Sequence, residues 1–167
     1  MIHVCGLDLI SQTLQDTGAK YLVSIINQDM MPDTPDIIDA DKHLKLSFND
    51  VTGPTTGFVN AQASDIKKLV DFLDNWAQQA PILFHCWAGV SRSTAGAYIA
   101  ANVIKGSGAE DELAQNLRQA APFASPNPLV ISLADDYLQR HGKMVNAIKK
   151  IGRGNFINGS QPFQLPL

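Results

Sequence analysis

One stretch near the middle of this 167-residue chain constrains it more than all the rest. The apolar run Pro81-Ile82-Leu83-Phe84 reads as a buried strand. It feeds directly into His85-Cys86-Trp87-Ala88-Gly89-Val90-Ser91-Arg92-Ser93, and the residues from Ser93 to Ala101 read as the opening of a helix. A strand ending in a tight loop that opens a helix is an anion cradle, because unpaired backbone N–H groups and the helix dipole point at the ligand. The same field stabilises the thiolate of a cysteine on the floor of the loop. Cys86 is then placed to attack phosphorus, and Arg92 to grip two phosphoryl oxygens with its planar fork. The backbone N–H groups from Trp87 through Ala88, Gly89, Val90 and Ser91 to Arg92 supply the remaining donors, and Gly89 lets the loop curl. Ser93 is a helix-capping residue type whose hydroxyl could also bond the sulfur. His85 is expected to orient the loop through hydrogen bonds rather than to shuttle protons.

The nine residues resemble the signature loop of the cysteine-dependent protein tyrosine phosphatases, in the H-C-x-A-G-x-S-R-S form of the dual-specificity branch. That resemblance implies a phosphatase (cysteine-loop) fold and a two-step reaction on phosphomonoesters through a cysteinyl-phosphate intermediate. It also implies an upstream aspartate that acts first as general acid and then as general base. Asp50 is the candidate. It follows the alternating run His43-Leu44-Lys45-Leu46-Ser47-Phe48, which reads as a strand, and precedes Gly53, Pro54 and Gly57, which punctuate a hinge. Phe48 and Asn49 stand where the resemblance asks for tryptophan and proline, so an aspartate that merely starts a turn is the competing reading. In Pro126-Asn127-Pro128 the resemblance offers Asn127 as a brace for the signature loop; a plain helix cap is the alternative.

The length suits one domain with a two-sided core and a turn-rich tail from about residue 152 onward. A net charge of −3 without a basic run gives no case for nucleic-acid binding. No apolar run approaches the ~20 residues of a membrane span, and residues 1–6 do not read as a signal peptide. With only Cys5 and Cys86, no disulfide framework exists, and a nucleophile that must stay reduced favours the cytoplasm. Cys5, on a strand, reads as an inert core thiol. His3, His43 and His141 share no ligand spacing, so no metal and no cofactor are expected.

Strands are expected at Ile2–Cys5, Tyr21–Ile26, near Leu44–Phe48 and at Ile82–Phe84. Helices are expected over Asp8–Thr17, closed by Gly18, from Ser64-Asp65 onward with Trp76 in the core, and then over Ser93–Ile104, Glu110–Ala121, Pro128–Gln139 and Lys143–Ile151. This order predicts an α/β fold: a small, central, mostly parallel sheet flanked by helices on both sides, with the reaction centre at the strands' C-terminal ends. The tail is expected to be frayed or draped over the surface, with Phe156 and Phe163 favouring some docking. Asp29, Asp33, Asp36, Asp39 and Asp41 read as a solvated loop, and Lys149, Lys150 and Arg153 as a solvated basic face or a substrate-docking cluster. The 27–42 loop and the 57–63 segment are the expected pocket walls.

The leading expectation is a phosphatase acting on phosphorylated protein or peptide, or on a small phosphomonoester. An inositol-phosphate or phosphoinositide substrate is the rival within that class, disfavoured because the loop carries Trp87 and Val90 and no lysine. A rhodanese-type sulfurtransferase and a catalytically weak phosphoprotein-binding module are the rivals outside it.

Overall fold

Each apolar run of the first half becomes a strand of one sheet. A computed structural model describes residues 1–53, 55–155 and 161–167. The strands are β1 (Ile2–Gly6), β2 (Tyr21–Ile25), β3 (His43–Leu46), β4 (Ile82–Cys86) and β5 (Phe163–Leu165), in the order β3-β2-β4-β1-β5. β1 to β4 run parallel, and β5 lies antiparallel on β1. β1, β2 and β4 are buried at every position, as strands covered on both faces of a parallel sheet are, and they are apolar except for His3, Ser24 and His85.

The helices are α1 (Ile10–Thr17), α2 (Ala63–Trp76), α3 (Arg92–Lys105), α4 (Glu110–Ala120), α5 (Pro128–Tyr137) and α6 (Lys143–Ile151). α1 covers one face, where Ile10 and Leu14 pack on Cys5, Leu22 and Leu83. The other five cover the opposite face, where Val4, Val23, Ile25 and Phe84 meet Leu69, Trp76, Tyr98 and Leu117. The flanked, mostly parallel sheet is therefore as expected. Differences lie at the ends of elements. A 3-10 turn at Leu7–Leu9 precedes α1, so the α-helix begins at Ile10 rather than Asp8. β4 continues through His85 to Cys86, which puts the cysteine at the last strand position.

In the tail, the docking expected of Phe163 is present: it packs edge-on against Phe123 with centroids 5.9 Å apart, and Phe163–Leu165 go further and join the sheet as β5. A three-residue strand with one exposed position has too little alternation to be read from sequence. Phe156 and Pro54, the other tail and hinge residues singled out, lie outside the described residues.

α3 approaches the sheet closely because it carries Gly96 and a run of small residues. A Cβ added at Gly96 would come within 2.6 Å of Ile25 Cδ1 and 3.0 Å of Phe84 Cδ1, both in the packed core. Gly96→Ala gains about 1 kcal/mol of helix propensity but overpacks the interface by about 1–3 kcal/mol. The expected outcome in urea denaturation is a net loss of about 1 kcal/mol; a variant as stable as the parent refutes this account of the interface.

Candidate active site

The register of the sheet delivers the two ends of the site together. Gly6 pairs with Cys86 and Ser24 with His85, so the strands end where the signature loop begins. Gly89 adopts φ +71°, the left-handed turn that curls the loop. The loop's carbonyls are tied to surrounding elements: Leu7 N donates to Trp87 O (3.0 Å), Ser125 N to Val90 O (2.9 Å) and Asn127 N to Ser91 O (3.3 Å). Since a trans peptide sets its N–H opposite its C=O, those bonds turn the N–H groups of Ser91 and Arg92 away from the scaffold. Ser91 is the N-cap residue of α3, two positions before the expected Ser93. Trp87 is 58% exposed.

Three consecutive residues then connect the chemistry. Ser91 Oγ donates to Asp50 Oδ1 (2.8 Å). Arg92 is buried; one Nη donates to the Phe48 carbonyl (2.8 Å), and its Nε lies 3.8 Å from Asp50 Oδ2 without a hydrogen-bond partner among the described residues. Ser93 Oγ sits 3.1 Å from Cys86 Sγ. The structure thus brings Cys86, Arg92 and Asp50 to one place. Asn127 performs both of the roles weighed for it, in altered form. Its Oδ1 caps α5 by accepting from Val130 N (3.1 Å), while its Nδ2 donates to Asp50 Oδ1 (2.7 Å) and Val51 O (3.0 Å). The side chain braces the acid loop, and only the backbone N–H braces the signature loop.

Asn49 explains its own departure from the expected proline. Its N–H donates to Val59 O (2.8 Å) and its side-chain oxygen accepts from Val59 N (2.9 Å), closing the neck of the loop that carries Asp50. A proline could make neither bond. Phe48, in place of tryptophan, is buried in the main core.

Beneath the loop runs a buried polar chain. Thr34 Oγ1 lies 2.8 Å from His43 Nδ1, His43 Nε2 lies 2.7 Å from Ser24 Oγ, and Ser24 Oγ lies 2.5 Å from His85 Nε2. His85 Nδ1 lies 3.4 Å from the Cys86 carbonyl. Burial pushes both imidazoles down to about 4, with Lys45 adding to the effect at His43 and Arg92 at His85. Both are therefore neutral near pH 7, which fixes the direction of every bond. A carbonyl only accepts, so His85 Nδ1 carries its proton and Nε2 accepts from the Ser24 hydroxyl. That hydroxyl accepts in turn from His43 Nε2–H, whose Nδ1 accepts from Thr34. The strand serine and His43 thus hold the tautomer of His85 beneath the loop. The signal was present in sequence: Ser24 is the one polar residue in an otherwise apolar strand, and a buried hydroxyl needs a partner.

Cys5 is buried on the α1 side, and burial pushes its thiol up to about 12, so it stays protonated. Lys150 pairs with Asp111 at 2.6 Å, and Asp39 with Lys42 at 2.6 Å. Lys149 and Arg153 line a groove beside Asp50 and Ser91. Its lining joins Asp50 and Thr52 to the 125–128 loop and the end of α6.

No family model matches the chain, and no curated protein does. Solved structures do. The chain is similar to DUSP15 (16% identity, TM-score 0.63, covering 90% of this chain and 89% of that one). It is similar to human DUSP28 (18%, TM-score 0.61, 83% and 88%). The chain has the dual-specificity phosphatase fold. PTPMT1, crystallised in complex with PI(5)P, shares this phosphatase fold as well (16%, TM-score 0.58, 88% and 94%). Within it, the strand-to-helix position of Cys86 and Arg92 is a property of the sheet register, whereas the Thr34–His43–Ser24–His85 chain depends on side chains at particular positions of β2 and β3.

Two outcomes follow from the neutral histidines. Unfolded, each titrates at its ordinary 6.5; folded, at about 4. Between those values the unfolded chain binds more protons, so stability rises with pH across that window and falls on acidification from 6.5 toward 4. Urea unfolding at a series of pH values should show this slope, and His43→Gln should flatten it; an unchanged slope in the variant refutes the assignment. Ser24→Ala strands a buried imidazole nitrogen and should cost about 1–3 kcal/mol; a neutral result in the same assay argues against the directed chain.

Proposed function

We infer that this protein is a phosphomonoester hydrolase of the protein tyrosine and dual-specificity phosphatase type, working through a cysteinyl-phosphate intermediate. The observation that carries the reading is the juxtaposition made by residues 91–93: Ser91 holds Asp50, Arg92 lies between both loops, and Ser93 touches the Cys86 sulfur. In the first step the Cys86 thiolate forms an S–P bond as the P–O bond to the leaving group breaks. Asp50 gives its proton to the departing oxygen, and Arg92 with the loop N–H groups holds the phosphoryl oxygens. In the second step Asp50 takes a proton from water as the water oxygen bonds to phosphorus, and the S–P electron pair returns to sulfur. The Ser93 hydroxyl donates to the sulfur and eases its departure.

A phosphorylated protein or peptide is the favoured substrate, because the loop has no lysine to meet a poly-anion. The PTPMT1 structure with PI(5)P makes a phosphoinositide the second reading. Sulfur transfer has no use for the Asp50 arrangement, and a pure binding module has no use for a nucleophile and an acid. A working thiol suits a reducing compartment, and we place the protein in the cytoplasm on that ground; no described helix is long and apolar enough to cross a membrane.

The test is hydrolysis of p-nitrophenyl phosphate under reducing conditions without added metal. Wild type should be active, and Cys86→Ser inactive. Asp50→Asn should lower kcat by about 10²-fold and erase the basic limb of the pH profile while leaving the acidic limb. Activity that survives Cys86→Ser overturns the reading.

A further inference from the structure

The groove beside Asp50 and Ser91 has a volume of about 630 Å³, far more than a phosphoryl group fills. Pro126 and Ile148 give it an apolar lining, and its two cations are Lys149 and Arg153. Both are exposed, and neither has a carboxylate partner among the described residues, in contrast to Lys150 one position away. The one carboxylate of the lining, Asp50, is already engaged by Ser91, Asn127 and Arg92. The positive charge in the groove is therefore uncompensated in a chain whose net charge is −3.

The groove is also built rather than incidental. Arg118, at the end of α4, spends its guanidinium on backbone carbonyls of both walls: Pro122 O (2.7 Å) and Ala124 O (2.9 Å) on one side, Gly152 O (2.7 Å) on the other. Gly154 N donates to Ser125 Oγ (2.9 Å) and Asn155 N to Pro122 O (2.9 Å), which fastens the segment after α6 to the 122–125 loop. Only glycine fits at 154, since a Cβ there would fall onto the Phe123 and Ala124 backbone. Arg153 is thus held over the groove by bonds on either side of it.

We propose that this groove is a second anion subsite that selects phosphopeptides carrying an acidic residue beside the phosphorylated one. The apolar floor takes the flanking peptide, and Lys149 and Arg153 pair with its carboxylate. This deepens the phosphatase reading and rests on it. A peptide is the occupant because the cations line the groove together with Pro126 and Ile148, its volume holds several side chains, and the phosphate cradle itself lacks lysine.

The experiment compares kcat/KM on p-nitrophenyl phosphate and on two phosphotyrosine peptides that differ only in flanking Glu or Gln. Wild type and Lys149→Glu/Arg153→Glu are assayed at low and high salt. Wild type should prefer the Glu peptide by about five- to tenfold at low salt, mostly through KM, with the preference shrinking at high salt. The double variant should lose or reverse that preference while p-nitrophenyl phosphate hydrolysis stays within about twofold, which also shows that it is folded. Equal rates on the two peptides, or an equal loss on all substrates, overturn the proposal. So does a loss confined to vesicles containing a phosphatidylinositol phosphate, which would assign the cations to a lipid headgroup. Should wild type fail to hydrolyse any substrate, the phosphatase reading falls separately. Titration of both peptides onto Cys86→Ser then decides the subsite: tighter binding of the Glu peptide upholds it, and equal binding overturns it.

Discussion

The Arg92 guanidinium is buried, and its nearest carboxylate sits 3.8 Å away rather than in direct hydrogen-bond contact. A cation taken out of water in this way costs several kcal/mol unless its surroundings compensate. Here the compensation is shared between the Phe48 carbonyl and Asp50, which belong to the loop after β3, while the arginine itself opens α3. The two halves of the site are therefore held by one charge, and neither half is fully satisfied alone. A guanidinium whose Nε has no hydrogen-bond partner among the described residues keeps a donor for an oxyanion.

Around that charge the scaffold is arranged to limit movement. Asn49 closes the neck of the acid loop, Asn127 ties its tip to the start of α5, and the directed chain from Thr34 to His85 supports the signature loop from below. These devices come from three different parts of the chain and converge without sharing a residue. Most of the orienting work falls to amides and hydroxyls, which act at any pH where the protein is folded, while the histidines contribute as neutral groups.

Much of this was legible in the sequence because it rests on local chemistry. The strand, loop and helix around Cys86 are contiguous, and the apolar runs of β1, β2 and β4 announce burial on both faces. What escaped notice depends on residues distant in sequence. Ser24 meets His85 across 61 positions, and Arg118 reaches Gly152 across 34, toward carbonyls that no residue type marks. Asn127 touches both loops, its backbone N–H the signature loop and its side chain the acid loop, and since an amide offers two donors and an acceptor its sequence context cannot say where each goes. The groove beside Asp50 is closed by the helical half of the chain, which only a folded arrangement brings there.

β5 has a consequence for the behaviour of the chain in solution. β1 is buried along its length, and without β5 it would be the open margin of the sheet, with a row of unpaired backbone groups facing outward. Such a margin is a template for strands of other molecules. The three residues Phe163–Leu165 occupy it with a short strand that leaves little to extend. On the opposite margin, β3 is four residues long and carries the exposed Lys45. Both margins of the sheet are thus blunted against self-association, one by brevity and one by charge, and the C-terminal segment acts as a guard against aggregation.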